Sequence, residues 1–258
     1  MRLTFLGTGT SFGVPQIGCD CAVCRSTDPR DKRTRSGAVL EAAGSTILID
    51  TPPELRLQLI SAGFSRIDAV VYTHEHADHI NGIDDLRIFS VRRREPLPLY
   101  GPAETLERLR SSFNYIFDDT VRPFEGTSKP SLSLHVAEPG QVIDVAGVKV
   151  LPLAFEHGHL RVFGYRFGNL AYVTDVKAIG EAERERLRGL DVLVLNALWW
   201  RPHPTHMSID EAIDTAQSLG ARRTYLTHLT HETGHTSLVA RLPSGVLPAY
   251  DGLAVEVL

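Results

Sequence analysis

At 258 residues, 43% hydrophobic and with a formal net charge of −4, the chain can bury a large single core but offers no broad basic surface for gripping nucleic acid. Its longest apolar stretch, Val192 to Trp200, is interrupted by Asn196 and too short to span a membrane, and Met1-Arg2-Leu3-Thr4 lacks the apolar core of a signal peptide. Free cysteines without a secretion signal point to a reducing cytoplasm, so that is the expected location.

In chain order, apolar and β-branched runs predict strands at Leu3–Leu6, Ala38–Glu41, Thr46–Asp50, Ala69–Thr73 and Leu97–Tyr100. Further strands are predicted at Val148–Ala154, Gly164–Phe167, Leu170–Thr174, Val192–Leu195, Thr224–Thr227 and Ala254–Val257. Helices are predicted at Pro53–Ala62, Ala77–Phe89, Ala103–Phe113, Glu181–Arg188 and Ile209–Leu219, the last opened by the capping box Ser208-x-x-Glu211. Between Asn114 and Pro130 lies an irregular segment with Tyr115, Phe117 and Phe124, read as a lid, a dimer contact or a plain surface loop. The pattern fits two sheets flanked by helices, an α+β domain over residues 1–258; a division into two similar halves near Pro139-Gly140 is implied only by the family resemblance given below.

The most informative stretch is Thr73-His74-Glu75-His76-Ala77-Asp78-His79. His74 and His76 leave a strand two residues apart, so an extended backbone turns both imidazoles the same way. Asp78 and His79 open the following helix and can face a neighbouring point. Two nitrogen ligands at one point, with a carboxylate and a nitrogen at the next, suit a pair of divalent metals better than solvated loop histidines. All three cysteines lie in Cys19-Asp20-Cys21-Ala22-Val23-Cys24, too close together and odd in number for a disulfide framework. Such a turn can wrap one zinc with three thiolates, and His231 is the expected fourth ligand.

His74-x-His76-x-Asp78-His79 resembles the signature of the metallo-β-lactamase superfamily, mostly metal-dependent hydrolases with a four-layer αββα sandwich. The resemblance implies further ligands at later strand ends: His157, Asp175 and His228. His74, His76 and His157 would hold one metal, Asp78, His79 and His228 the second, with Asp175 bridging. His159, two residues beyond His157, is the alternative there. The opening Leu3-Thr4-Phe5-Leu6-Gly7-Thr8-Gly9-Thr10 with the cysteine knuckle at residues 19–24 is similar to the branch containing phosphoribosyl 1,2-cyclic phosphate phosphodiesterase. There a Cys-x-Cys-x-x-Cys and a late histidine hold a structural zinc. Gly7 to Gly13 is read as tight turns near the active site, since no helix opens where a dinucleotide fold would need one.

The implied activity is a dinuclear phosphodiesterase that attacks a small, cyclic phosphodiester such as 5-phosphoribosyl 1,2-cyclic phosphate with metal-bound hydroxide. Zinc or manganese, with iron admissible, would fill the catalytic pair; zinc would fill the knuckle. The departing alkoxide wants a proton, and His206, just before the Ser208 helix start, is the expected general acid, with His203 as fallback and Asp78 the other catalytic residue. The resemblance also implies a homodimer, a small-molecule substrate and neither nucleic acid nor membrane as partner. Two other readings stand beside this one. One is an RNA-processing endonuclease of the transfer-RNA 3′-end type, which shares the Leu-Thr-Phe-Leu-Gly-Thr-Gly opening but would want an inserted basic arm. The other is a non-hydrolytic metal-binding protein.

Overall fold

The computed structural model describes residues 1–258. The first half builds β1 (Arg2–Gly7), β2 (Gly37–Ala42), β3 (Ser45–Ile49), α1 (Leu55–Ser61), β4 (Ala69–Val71), α2 (Ala77–Ile80), α3 (Arg87–Arg93), β5 (Leu97–Gly101), α4 (Ala103–Ser112), α5 (Asn114–Phe117) and β6 (Leu132–Val136). The second half builds β7 (Ile143–Val145), β8 (Val148–His157), β9 (Leu160–Phe167), β10 (Leu170–Val173), α6 (Glu181–Arg186), β11 (Val192–Asn196), α7 (Ile209–Leu219), β12 (Arg223–Thr227), α8 (His235–Arg241), β13 (Val246–Pro248) and β14 (Ala254–Glu256).

The strands form two seven-stranded sheets, ordered β14-β1-β2-β3-β4-β5-β6 and β13-β12-β11-β10-β9-β8-β7. Each sheet is antiparallel at one side and parallel at the other: β3 to β6 run parallel in the first, β10 to β13 in the second. Phe5, Ile49 and Val71 of the first sheet pack against Phe163, Tyr165 and Val194 of the second in one core. A second apolar layer lies under α1, α3 and α4, with Leu55, Leu59, Phe89 and Leu106 at its centre. A third, around Ile209, Ala212, Ala216 and Leu238, seats α7 and α8. These are the four layers of an αββα sandwich, as expected. The β14 edge departs from a clean division at residues 139–140, because the C-terminal strand crosses back to pair with β1.

Two predictions of local structure are corrected. The helix predicted over Ala77–Phe89 is broken into α2, a 3-10 turn at Ile83–Leu86, and α3. The cause is tertiary: Thr51 N–H donates to the His79 carbonyl at 2.7 Å and Gly82 N–H to the Thr51 carbonyl at 2.8 Å, replacing intrahelical partners. A Cβ on Gly82 would lie 2.2 Å from the Pro52 carbonyl, so only glycine permits this approach. Strands β6, β7 and β13 escaped the sequence pattern. All three are short and near or at a sheet edge, where half-exposed residues weaken the apolar signal, and β13 carries Pro248 as an edge strand can.

The predicted irregular segment begins with α5, whose Ile116 is buried and whose Tyr115 hydroxyl donates to Asp84 at 2.5 Å. Arg87 also pairs with Asp84, at 2.6 Å.

Candidate metal centre

Parallel strands in both sheets end on the same side of the sandwich, and open α/β sheets gather ligands at such carboxyl ends. His74 and His76 follow β4, Asp175 follows β10 and His228 follows β12. His157 is the last residue of β8 itself, paired with Leu160 across a tight turn. That turn, Gly158-His159, carries His159 outward to the surface, so the alternative ligand joins no metal-sized group.

Donor atoms of His74, His76 and His157 lie within 4.8 Å of one another, as do those of Asp78, His79 and His228, and those of His74, His79 and Asp175. Asp175 stands between the groups, 3.5 Å from His79 Nε2 and 3.1 Å from His228 Nε2. His74 Nε2 is 2.9 Å from His76 Nδ1. The residues fit a pair of divalent cations on two counts. The Nε2 atoms of His79 and His228 are buried without any hydrogen-bond partner, a costly state unless an ion takes the lone pair. Electrostatics agree. Burial opposes a charge on His79, yet Asp78, Asp175 and Asp50 together push its pKa well above the usual histidine range. Burial likewise opposes the Asp175 carboxylate, but His228 and His79 hold its pKa well below the usual range. The carboxylates thus create a demand for positive charge at the centre of the cluster.

Backbone strain positions these groups. Asp50, Asp175 and His228 have φ of 61°, 60° and 58°, the left-handed region that non-glycine residues avoid. Tertiary bonds hold each kink: Asp50 N–H donates to Val71 O at 3.0 Å, and Leu229 N–H to Thr8 O at 2.9 Å. After Asp175, Val176 N–H donates to Asn196 Oδ1 at 2.8 Å, and Asn196 Nδ2 returns a bond to the Val176 carbonyl. The Thr8 contact, with a bridge between Gly9 and Leu229, sets the glycine-rich turn beside His228.

Asp50 is the residue that pattern reading missed. Fully buried, it accepts from Thr73 N–H and Thr73 Oγ1 and sits 2.8 Å from His79 Nδ1. Its only sequence signal is an aspartate at a strand end. Thr205 was also unassigned; its carbonyl lies 3.1 Å from His157 Nδ1 and can take that proton.

His206 Nε2 lies 2.9 Å from Asp175 Oδ1, with its ring stacked on His228 at 4.9 Å and edge-on to His157 at 4.7 Å. At the knuckle, Cys19, Cys21, Cys24 and His231 form a separate group, His231 Nδ1 being 3.3 Å from both Cys19 Sγ and Cys21 Sγ. The Cys24 backbone N–H and His231 bring the Cys21 thiol down to about 6, the ionised form a metal would take. Burial pushes Cys24 up to about 11. His135 stacks on Tyr100 at the first sheet's edge and His235 is buried at the start of α8; neither approaches the clusters.

A model of the β-lactamase superfamily domain matches residues 45–229. Over 256 residues, 98% of this chain and 51% of the other protein, the chain is 41% identical to an octanoyltransferase of Porphyromonas gingivalis. It is 29% identical over 172 residues to a ribonuclease Z of a Bradyrhizobium species, covering 64% of this chain and 49% of that one. The chain therefore spans about half the length of these two curated relatives. The crystal structure of a diphosphatase of the PhnP family superposes with a TM-score of 0.91 at 43% identity, covering 99% of this chain and 97% of that one. Zinc-bound PqqB from Methylobacterium extorquens has the same fold, with a TM-score of 0.78 at 19% identity over 99% of this chain and all of that one. With the αββα sandwich, the two ligand groups and the cysteine knuckle in one chain, these likenesses place the protein in the metallo-β-lactamase superfamily, in its PhnP-like branch.

Proposed function

We propose that this chain is a dinuclear metal phosphodiesterase acting on a small cyclic phosphodiester, such as 5-phosphoribosyl 1,2-cyclic phosphate. The observation that carries the reading is His206, whose Nε2 reaches the metal cluster at Asp175 while the opposite ring nitrogen is tied back into its own loop. His74, His76 and His157 would hold one metal, Asp78, His79 and His228 the other, and Asp175 would lie between them. Bound there, two divalent cations supply positive charge for a phosphoryl oxygen and acidify a water. His206 delivers a proton to the alkoxide oxygen as the P–O bond breaks and water adds to phosphorus; the proton that water loses passes to solvent, from which His206 is reprotonated. Burial of His74 and Asp175 keeps bulk water from competing for their donor atoms.

A net charge of −4, with no broad basic surface, favours a small substrate over RNA. A cavity of about 920 Å³ passes Glu75 and Glu156, chain neighbours of His74, His76 and His157, but none of the proposed ligands lines it. A phosphoanhydride is the second reading, favoured by the 43% identity to a diphosphatase. Octanoyl transfer is named for a relative of which this chain matches 51%, and no residue of the site calls for it. We further propose zinc or manganese at the catalytic pair, zinc at the knuckle, and a homodimer working in the cytoplasm. No helix is long and apolar enough to cross a membrane.

Phosphorus NMR of the metal-loaded protein tests the reading, with 5-phosphoribosyl 1,2-cyclic phosphate, a 2′,3′-cyclic nucleotide and a dinucleoside diphosphate in parallel. Selective opening of the ribosyl cyclic phosphate, abolished by a chelator and restored by zinc or manganese, is expected. Cleavage of the diphosphate alone would support the second reading, and inertness toward all three would refute both.

A further inference from the structure

The loop from Ala197 to Met207 carries Trp199, His203 and His206, and only His206 belongs to a metal-sized group. Its outer nitrogen, Nδ1, lies 3.2 Å from Nδ1 of His203 and 3.0 Å from the Thr205 hydroxyl. The backbone N–H of Thr205 donates to that same His203 nitrogen at 3.3 Å. A ring nitrogen that already accepts an N–H carries no proton of its own. His203 Nδ1 is therefore an acceptor, open to a proton on His206 Nδ1 beside the nearer Thr205 hydroxyl, while the acid form of His206 carries its second proton on Nε2.

His203 is in turn held from behind. Its ring meets Trp199 edge-on at 5.3 Å, and the Arg201 guanidinium lies 4.3 Å from the centre of the same indole. Pro202 and Pro204 flank it and fix the backbone φ on both sides, which lowers the entropy lost in keeping the ring in place. Thr205, between the two histidines, also binds His157 through its carbonyl, so one loop orients both a candidate ligand and the candidate acid.

We propose that His203 is a positioning residue for His206: its Nδ1 pins the His206 ring so that Nε2 stays turned toward the metal cluster and the bond being broken. This rests on the role of His206 proposed above. His203 does not itself serve as the acid, because the His206 imidazole stands between it and Asp175.

The test compares His203→Ala and His203→Asn with the unchanged zinc-loaded protein on two phosphodiesters. Bis(p-nitrophenyl) phosphate expels a phenolate that leaves without a proton; 5-phosphoribosyl 1,2-cyclic phosphate expels an alkoxide that needs one. His203→Ala should lower kcat on the cyclic phosphate by about tenfold to a hundredfold, with KM, bound zinc and bis(p-nitrophenyl) phosphate turnover little changed. His203→Asn, whose Oδ1 can accept the same hydrogen bond, should recover most of the loss. Nitrogen NMR of the resting protein gives a readout independent of turnover. The His206 Nδ1 proton should be seen in the unchanged and Asn proteins and lost to exchange in the Ala variant. Equal losses on both substrates, or loss of zinc, would reduce His203 to a structural residue. An unchanged kcat ratio, or an Nδ1 proton that persists in His203→Ala, would overturn the inference while leaving the phosphodiesterase reading intact. If the unchanged protein cleaves neither ester, that reading fails and the inference goes with it.

Discussion

The carboxylate of Asp50 stands 2.8 Å from Nδ1 of His79, and neither side chain has any exposed surface. This contact fixes which imidazole nitrogen of His79 carries the proton and leaves Nε2 free to face Asp78 and Asp175. Carboxylates behind ligand histidines set ring orientation and ligand basicity.

Asp50→Ala should therefore weaken metal binding at the His79 site by about 10–100-fold while the first site stays filled. Competitive titration with a chelator, read by metal analysis, would show one equivalent released early. Two equivalents retained with unaltered affinity would mean that Asp50 matters only to packing with Thr73.

His206 touches Asp175 but stands outside the two ligand sets proposed for the metals. His206→Ala should keep both metals and lower turnover of an alkyl phosphodiester by about a hundredfold or more, the usual scale for acid–base groups. Steady-state kinetics on protein of measured metal content would decide this, and undiminished turnover would remove the assignment.

The knuckle lies apart from the catalytic cluster, but His231 follows His228 by three residues, so loss of one site should loosen the other's loop. Cys24 also accepts from Gln16 N–H at 3.3 Å, and Lys32 Nζ donates to its carbonyl at 2.9 Å. Cys24→Ser should lose one equivalent of zinc and lower Tm by about 5–10 °C, corresponding to roughly 2–4 kcal/mol. Metal analysis with calorimetry checks both, and a full zinc complement in the variant would argue against a thiolate site.

His235 links acid sensitivity to the fold. Burial first, then the Arg33 and Arg30 charges, bring its pKa down to about 4, against about 6.5 for a free histidine. Below pH of about 6.5 the unfolded chain takes up a proton that the folded protein refuses, so stability falls as pH drops toward about 4. The loss should be modest, about 1–2 kcal/mol, because solvent screens part of the effect. His235→Phe keeps a ring against Tyr250 and should flatten this part of the curve, as denaturant titrations of both metal-loaded proteins would show. Parallel curves would place the acid sensitivity elsewhere.

Signals confined to a few neighbouring residues are legible in the chain itself. The buried run before His74, the two-residue spacing of His74 and His76, and the turn into Asp78 and His79 all act within one strand exit. The capping box at Ser208 and Glu211 forms as its spacing requires, with Ser208 Oγ accepting from Glu211 N–H at 3.2 Å and Glu211 Oε2 from Ser208 N–H at 2.7 Å. What joins those pieces is invisible locally. The left-handed kinks at Asp50, Asp175 and His228 exist because bonds to distant strands hold them; aspartate and histidine tolerate that region better than most residues, but too weakly to announce it. The break at Asn81-Gly82 depends on the Thr51-Pro52 backbone, and the choice of His157 over His159 depends on where one hairpin turns. Donor types and their order along the chain are already written in the primary structure, since both depend on chemistry and short-range spacing. Which nitrogens turn toward the cluster and which residues stand behind them emerges with the fold, because those contacts join strands and loops that are far apart in the chain and meet only once the two sheets pack.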